Sequence, residues 1–533
     1  MKNSFYRSIP LELVAIIVFG IIIRIIATFN LSIIENDGVV YIQQARALLS
    51  GDFSGVFSCD LTNLPLSTVF IAGAYLLVGD WLIAAHGISL VFGSAMLIPL
   101  AMILRCFFDR KIVFLGVATF SVLPVFVYTS VYILREPVFI FFITLGLCCF
   151  IKYLNEYKKQ LLIYSSLCFM LGAWARIEGL FIIPLAAIFI VIYCHKEKFS
   201  HLLFFLALPA AFVLLFEAFL INTNIMSTHV LASRSREVFY GTTLAYGSLK
   251  QAVLSIDFSE QHIRMSLFLK EAGDQIWLIG AGTVIRNLIK ALHYFFFFIL
   301  LLGLKDAWSF LKFDKRIIFL SSVAMAGMFV IYISCLAKWV PTPRYYTGIV
   351  LIPLSFLICC GFKRFLYLLE NRVNLNARWS FLLVVTVVLL ICLPKDLKTG
   401  DKDKRVFRDI ANEISKYEDT TSAIKIATSF ERNRWINFYS NYDFLSASDI
   451  PWCNLSKDFL WEYFPKNYED FDIYIKKKNI DYFLWEQRAW QKGKFLFNSS
   501  RLDEYFDRIG EWYHPDTGDM VLYRRKKNNN SSF

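Results

Sequence analysis

Glu35 and Asp37 are the residues best placed to do chemistry. They follow directly on the apolar run Leu11–Phe29, so two carboxylates stand at the edge of a bilayer. A carboxylate there can take the proton of an acceptor hydroxyl, the work of a general base. In the stretch that follows, Val39, Ile42, Ala45, Leu48 and Leu49 recur at helical spacing. Asp37 is expected to be the N-cap of this helix and Gly51 its close, with the apolar stripe lying on the bilayer surface. Capping alone would also account for Asp37, so a catalytic role needs further charges on the same side of the membrane.

Such charges recur at the ends of other apolar runs: Glu136 before Pro137, Arg176 and Glu178 around Ile177, and Lys338, Arg344 and Tyr345 flanking Pro341 and Pro343. An arginine fork suits a phosphate, since it offers two parallel donors to two oxygens. Plainer roles stand beside each. Arg176 and Glu178 would snorkel at a span end, Glu136 would favour a helix start, and Lys338 and Arg344 would form a basic turn. Arg24 and Glu217 lie inside apolar runs, and pairing with each other or with site residues are both open. For His86, near the outer end of its run, a packed side chain and a supporting role at the site are likewise open.

Composition says what must position these groups. The chain is 57% hydrophobic and only 18% charged, with a mean hydropathy of +0.51, outside the range of soluble domains. It is expected to be a polytopic α-helical membrane protein of about eleven crossings, from Leu11 to Leu393. The net charge of +12 fits basic cytoplasmic loops and a preference for anionic lipid or phosphate. No basic stripe with interleaved aromatics points to nucleic acid, and no cysteine–histidine cluster has metal-ligand spacing. Most of the eleven cysteines fall in apolar runs; Cys59 and Cys453 are the two expected outside, where a disulfide is open.

Lys2 and Arg7 precede the first run, which puts the N-terminus in the cytoplasm. Pro65–Val78 is short for a span and is expected to be re-entrant or interfacial. With that parity, Arg105, Arg110, Lys152, Lys158, Lys196, Lys305, Lys315, Lys363 and Arg372 all fall inside. Glu35, Asp37, Glu136, Arg176, Glu178, Lys338, Arg344 and Tyr345 then share the outer face. Residues 1–394 form the membrane domain, with outer loops at 30–80 and 222–284. The polar stretch Asn222–Gly282 is expected to hold short helices, and a cover over the outer cavity and a solvated loop with surface charges are both open for it. Residues 395–533 are expected as a small outer α/β domain. Its strands are expected near Ala423–Ala427, Asp472–Ile475, Ile480–Trp485 and Met520–Tyr523, its helices at Lys404–Tyr417 and Leu502–Gly510, and its tail Lys526–Phe533 disordered.

The first outer loop, with an acid followed by Gly38-Val39-Val40-Tyr41 and a helix ending at Gly51-Asp52, resembles that of the GT-C glycosyltransferases. Arg135-Glu136-Pro137, Ala175-Arg176-Ile177-Glu178-Gly179 and Pro343-Arg344-Tyr345 stand where such proteins carry similar short motifs. The nearest branch is that of the protein O-mannosyltransferases and the lipid A aminoarabinose transferases. The resemblance spans the membrane region and rests on the order and shared sidedness of the motifs. Many relatives carry paired acids, Asp-Glu; here Asp37 is followed by Gly38, with Glu35 two residues earlier.

The resemblance implies a polyprenyl-phosphate-linked sugar as donor and a lipid, glycan or protein hydroxyl as acceptor. It also implies a bacterial inner membrane, with the site and the C-terminal domain outside. Asp37 would be the base, with Glu35 and Glu136 as further acids. Arg176, Lys338, Arg344 and Tyr345 would hold the donor phosphate, and Tyr41, His86 and Glu178 would support them. Catalysis with or without a divalent cation is left open by the altered acid pair. A flippase for a lipid-linked glycan would show internal repeats and broken helices at mid-bilayer; a polymerase or ligase of similar architecture would differ only in acceptor length.

Overall fold

The computed structural model describes residues 10–56, 64–194, 197–222, 243–255, 263–311, 314–339, 342–418, 424–428, 430–442, 471, 473, 475–477, 479–490, 503 and 506–526. The chain packs as two units. The first comprises Met1–Ile26, Ser89–Val131 and Arg135–Leu397; the second comprises Ala27–Ile88, Tyr132–Leu134 and Lys398–Phe533.

The protein is a polytopic helical membrane protein. Among the described residues six helices are long and apolar enough to cross a bilayer: Leu11–Phe29, Trp81–Arg105, Glu136–Glu156, Lys198–Leu215, Lys315–Ala337 and Ala377–Asp396. Two bent pairs raise the number to eight, fewer than the eleven expected from sequence. Arg110–Val122 and Pro124–Val131 meet at 49°, where Pro124 offers no amide hydrogen to continue the ladder. Ile276–Leu292 and Tyr294–Ala307 meet at 104°, about His293 with its left-handed φ of 67°. The other three expected spans are short or interrupted. Lys159–Ala175 has 17 residues, and Ile182–Tyr193 has 12, about 18 Å of rise against a core of about 30 Å. The third begins with a π-helical turn, Thr347–Leu351, before Ser355–Arg372.

Small residues let these helices approach. A Cβ on Gly303 would strike the Leu357 carbonyl, and one on Gly361 the Ile299 carbonyl. The helices Tyr294–Leu311 and Ser355–Arg372 therefore cross backbone to backbone. Gly361→Leu is expected to wedge them apart and to lower the thermal midpoint in detergent, with a cost of about 1–3 kcal/mol from overpacking. Gly361→Ala should do so more mildly.

In the second unit the helix Asn36–Ser50 is the centre of the core. Val39, Ile42 and Ala45 are buried with Ile33, Ile410, Ile414, Ile426, Ile436, Leu484 and Leu522. Most of the apolar stripe that sequence assigned to the bilayer surface thus packs inside the protein, because a small sheet and two helices supply the covering layer; Leu49, at its end, is exposed. That sheet has four strands: β1 Ile426–Ala427, β2 Tyr482–Glu486, β3 Phe506–His514 and β4 Gly518–Arg525, in the order β1-β2-β4-β3. β1 and β2 are parallel and the other pairs antiparallel. The helix Arg405–Ser415 lies where expected.

Two expectations fail here. Leu502–Gly510 was expected helical, yet Phe506–His514 is a strand. The Pro515-Asp516-Thr517-Gly518 turn, with Gly518 at φ +75°, folds it back on β4 as a hairpin, and pairing overrides local helical spacing. Asp472–Ile475 was expected as a strand, yet 471, 473 and 475–477 are helical. Cys59, Cys453, the tail beyond Lys526, and Arg234, Arg236, Tyr240 and Phe258 of the polar stretch Asn222–Gly282 lie outside the described residues.

Candidate functional site

Three turns of the first unit carry the candidate site. Helix Glu136–Glu156 opens on Glu136, with Pro137 in the first turn, where a missing amide hydrogen costs nothing. Helix Lys159–Ala175 ends as Arg176 turns extended, at φ −147° and ψ 120°, and the 3-10 turn Ile177–Gly179 follows. Pro343–Tyr345 is a second 3-10 turn, leading into the π-helical turn. Phe139 draws these together. Its ring stands 2.8 Å from the place a Cβ would take on Gly179, and 2.6 Å from that on Gly348. Glycine at both positions allows the two turns to close over one aromatic ring.

Arg176 is buried and its guanidinium is enclosed by acids. Nη1 donates to Glu136 Oε1 at 2.6 Å, Nη2 to Glu178 Oε1 at 2.7 Å and Nε to Glu178 Oε2 at 3.3 Å. Its other face lies 4.5 Å from the centre of the Tyr345 ring. Arg344 joins the same group, with Nε 3.3 Å from Glu136 Oε1 and its guanidinium 5.7 Å from the Tyr345 ring. The side chain of Arg344 is 19% exposed, against 4% for Arg176 and 3% for Glu136. Burial opposes the charge on Glu178, but the Arg176 guanidinium overcomes it and holds that carboxyl well below the usual range. Arg176 and Arg344 are thus oriented by Glu136 before any ligand arrives. Lys338 ends the helix Lys315–Lys338; its side chain lies outside the described residues.

The other sequence-derived candidates belong to the second unit. Glu35, not Asp37, is the N-cap residue of the helix Asn36–Ser50, and it makes no side-chain cap bond. Asp37 lies in the first turn, half-buried, where the helix dipole favours its charge. Gly51 closes the helix as expected, at φ 74°. Tyr41 is buried and His86 half-buried. Sequence gave no sign of the groups that surround this loop. Trp435 Nε1 donates to the Ile34 carbonyl at 2.8 Å, and the Ile34 amide donates to Tyr439 Oη at 3.2 Å. They come from about 400 positions along the chain, a separation that no local spacing reports. Arg46, another residue passed over, is buried beneath three rings, those of Trp81, Phe438 and Tyr442 at 5.5–5.8 Å, and donates to the Tyr442 carbonyl at 2.8 Å.

Inside the first unit, Arg24 is fully buried and donates to the carbonyls of Gly20 at 3.0 Å and Ser121 at 2.6 Å, with Asp396 as an acidic neighbour. The side chain of Glu217 lies outside the described residues. Among the described residues no three His, Cys, Asp or Glu side chains gather as a metal site.

No protein family model matches the chain, and no curated protein matches it. Solved structures do. The chain superimposes on the oligosaccharyltransferase AglB of Archaeoglobus fulgidus, solved with an inhibitory peptide and a dolichol-phosphate. The TM-score is 0.54 at 12% identity, over 97% of this chain and 74% of that one. A second structure of an Archaeoglobus fulgidus oligosaccharyltransferase, tethered to an acceptor peptide, gives 0.55 at 10% identity, over 98% and 75%. ArnT from Cupriavidus metallidurans, bound to undecaprenyl phosphate, gives 0.54 at 10% identity, over 97% and 98%. Identities this low speak for the fold alone: the chain shares the fold of these structures over 97–98% of its length.

Proposed function

We propose that this protein transfers a sugar from a polyprenyl-phosphate-linked donor to the hydroxyl of a lipid, glycan or protein acceptor at the outer face of the membrane. The observation that carries this is the near-complete overlap with ArnT, a protein solved with undecaprenyl phosphate, in a chain that presents paired arginines on short turns between helices. In the reaction Asp37 takes the acceptor proton and the acceptor oxygen attacks the anomeric carbon. The bond from that carbon to the phosphate oxygen breaks, and the polyprenyl phosphate leaves with the electron pair. Attack opposite the leaving group inverts the anomeric centre.

The phosphate gains charge as it leaves, so donors fixed beforehand lower the barrier. Arg344, the more accessible guanidinium, takes the phosphate, and Lys338 adds positive charge. Arg176 holds Glu136 and Tyr345, and through them sets the angle of Arg344. Glu35 adds negative charge beside the base.

The test uses the full chain in nanodiscs, with undecaprenyl phosphate as the binding probe and undecaprenyl-phosphate mannose and arabinose as donors. Arg344→Ala should weaken undecaprenyl phosphate binding by about 10- to 100-fold, the worth of a charge-assisted contact. Arg344→Lys should recover part of it. Equal affinity in all three proteins would remove Arg344 from the phosphate site.

Sidedness has its own expected result. Cysteines introduced beside Asp37, at Arg344 and at the exposed Glu511 should react with an impermeant maleimide from outside, and one at Gln160 should not. Labelling at Gln160 in place of the others would invert the topology.

A further inference from the structure

Within the second unit the loop that carries the acids is braced from several sides. Leu31 pairs with Gly400 in a parallel bridge. Both backbone groups of Ile34 are bonded by the helix Phe430–Ser440, through Trp435 and Tyr439. Beyond the bridge, Asp401 has a left-handed φ of 50°, a conformation that aspartate tolerates better than most residues. Its carboxylate is gripped twice: Tyr132 Oη donates to Oδ2 at 2.6 Å, and Lys404 Nζ lies 2.8 Å from Oδ1. Gly400 has to lack a side chain, since its Cβ would lie 2.6 Å from Tyr132 Oη.

Lys404 is the positive centre of this group. It pairs with Asp401 and has the Trp435 ring 5.4 Å from its Nζ, with Glu35 and Asp403 as further acids that favour its charge. Asp403 in turn has His514 Nε2 at 3.5 Å. Burial works against the ammonium, but the bond to Asp401 and the charges of Glu35 and Asp403 hold it above the ordinary lysine range. A left-handed aspartate fixed by a tyrosine and a lysine, one residue beyond the bridge to Leu31, is more than a turn needs for its own stability.

We propose that Tyr132, Asp401 and Lys404 are positioning residues for the Glu35–Asp37 loop, so that the C-terminal region takes part in the reaction by holding the base where an acceptor hydroxyl meets it. The catalytic half of this inference rests on the sugar-transfer reading given above; the bracing of the loop does not.

Hydrogen exchange on the full chain in nanodiscs separates the two. In Tyr132→Phe and Lys404→Met, amides 31–37 should exchange at least about tenfold faster, while 39–47, buried in the core, keep their protection. Lys404→Arg should restore the slow exchange, because charge and reach are kept. Undecaprenyl phosphate should bind all four proteins, native included, within about twofold. In the transfer assay kcat should fall about 10- to 100-fold in Lys404→Met with the donor KM unchanged, the mark of a misplaced base. Unchanged exchange at 31–37 overturns the bracing. Faster exchange with native kcat overturns the positioning role. An Asp37→Asn protein that transfers at the native rate sinks the assignment of the base while the exchange result stands.

Discussion

Asp37→Asn is expected to fold as the native protein does and to transfer sugar about 10²–10⁴ times more slowly, a barrier higher by roughly 3–5 kcal/mol. The amide keeps the size of the side chain and cannot take a proton. Asp37 sits in the first turn and not at the cap, so the part of the stability lost with its helix-dipole interaction is about 0.3–1 kcal/mol. The rate effect therefore exceeds any folding effect by several-fold. Binding of undecaprenyl phosphate should stay within about twofold of native, since the phosphate contacts assigned above lie on other residues. Measuring transfer, thermal midpoint and undecaprenyl phosphate affinity on one preparation distinguishes the outcomes. Native transfer by the variant would leave the carboxylate as a helix-end charge and move the base to Glu35 or Glu136.

Arg176→Ala is expected to do the opposite and act mainly on stability. It leaves the buried Glu136 and the adjoining Glu178 without the cation that faces both. Removing one partner of a buried pair costs about 3–5 kcal/mol, because the remaining charge stays desolvated. Arg176→Met combined with Glu136→Gln and Glu178→Gln should recover part of that loss, since the two acids are then neutral and only Arg344, the more exposed member, loses its acid. Thermal unfolding in detergent reads both. A single variant as stable as native would show that the acids find water or other partners, and that the cluster is not a buried unit.

The same cluster has a pH signature. The Glu178 carboxyl is held down, so its contribution is present in full above the ordinary carboxylate range, about pH 5 and up. It is lost as pH falls from that range toward the lowered value. The stability difference between native protein and Glu178→Gln should accordingly be flat from pH 7 to 5 and shrink below about pH 4. A difference that vanished by pH 6 would mean that Glu178 is not held by Arg176.

Much of the architecture follows from the sequence alone, because lipid imposes a one-dimensional rule. Apolar runs of spanning length and basic residues between them fix a polytopic helical protein, whatever packs against what. The same rule makes Glu136, Arg176, Glu178 and Arg344 conspicuous, since charge at a span end is costly. Gly51 was legible as a helix end, because a left-handed residue after a helix is a local demand. Sequence could not count the spans: hydropathy does not report that the helices Lys159–Ala175 and Ile182–Tyr193 stop short, or that a π-helical turn interrupts the run at Thr347–Leu351. Nor could it tell a stripe facing lipid from one facing protein. Val39, Ile42 and Ala45 look the same in either place, and the sheet and helices of the C-terminal region decide it. The strand Phe506–His514 depends likewise on its partner across the hairpin. The site shows the division most clearly. Residue types declared Arg176 a cation of interest, but only the tertiary structure surrounds it with Glu136, Glu178 and Tyr345 and leaves Arg344 the more open. Chain chemistry sets which charges exist; the distance between residues far apart in sequence sets which of them are already satisfied.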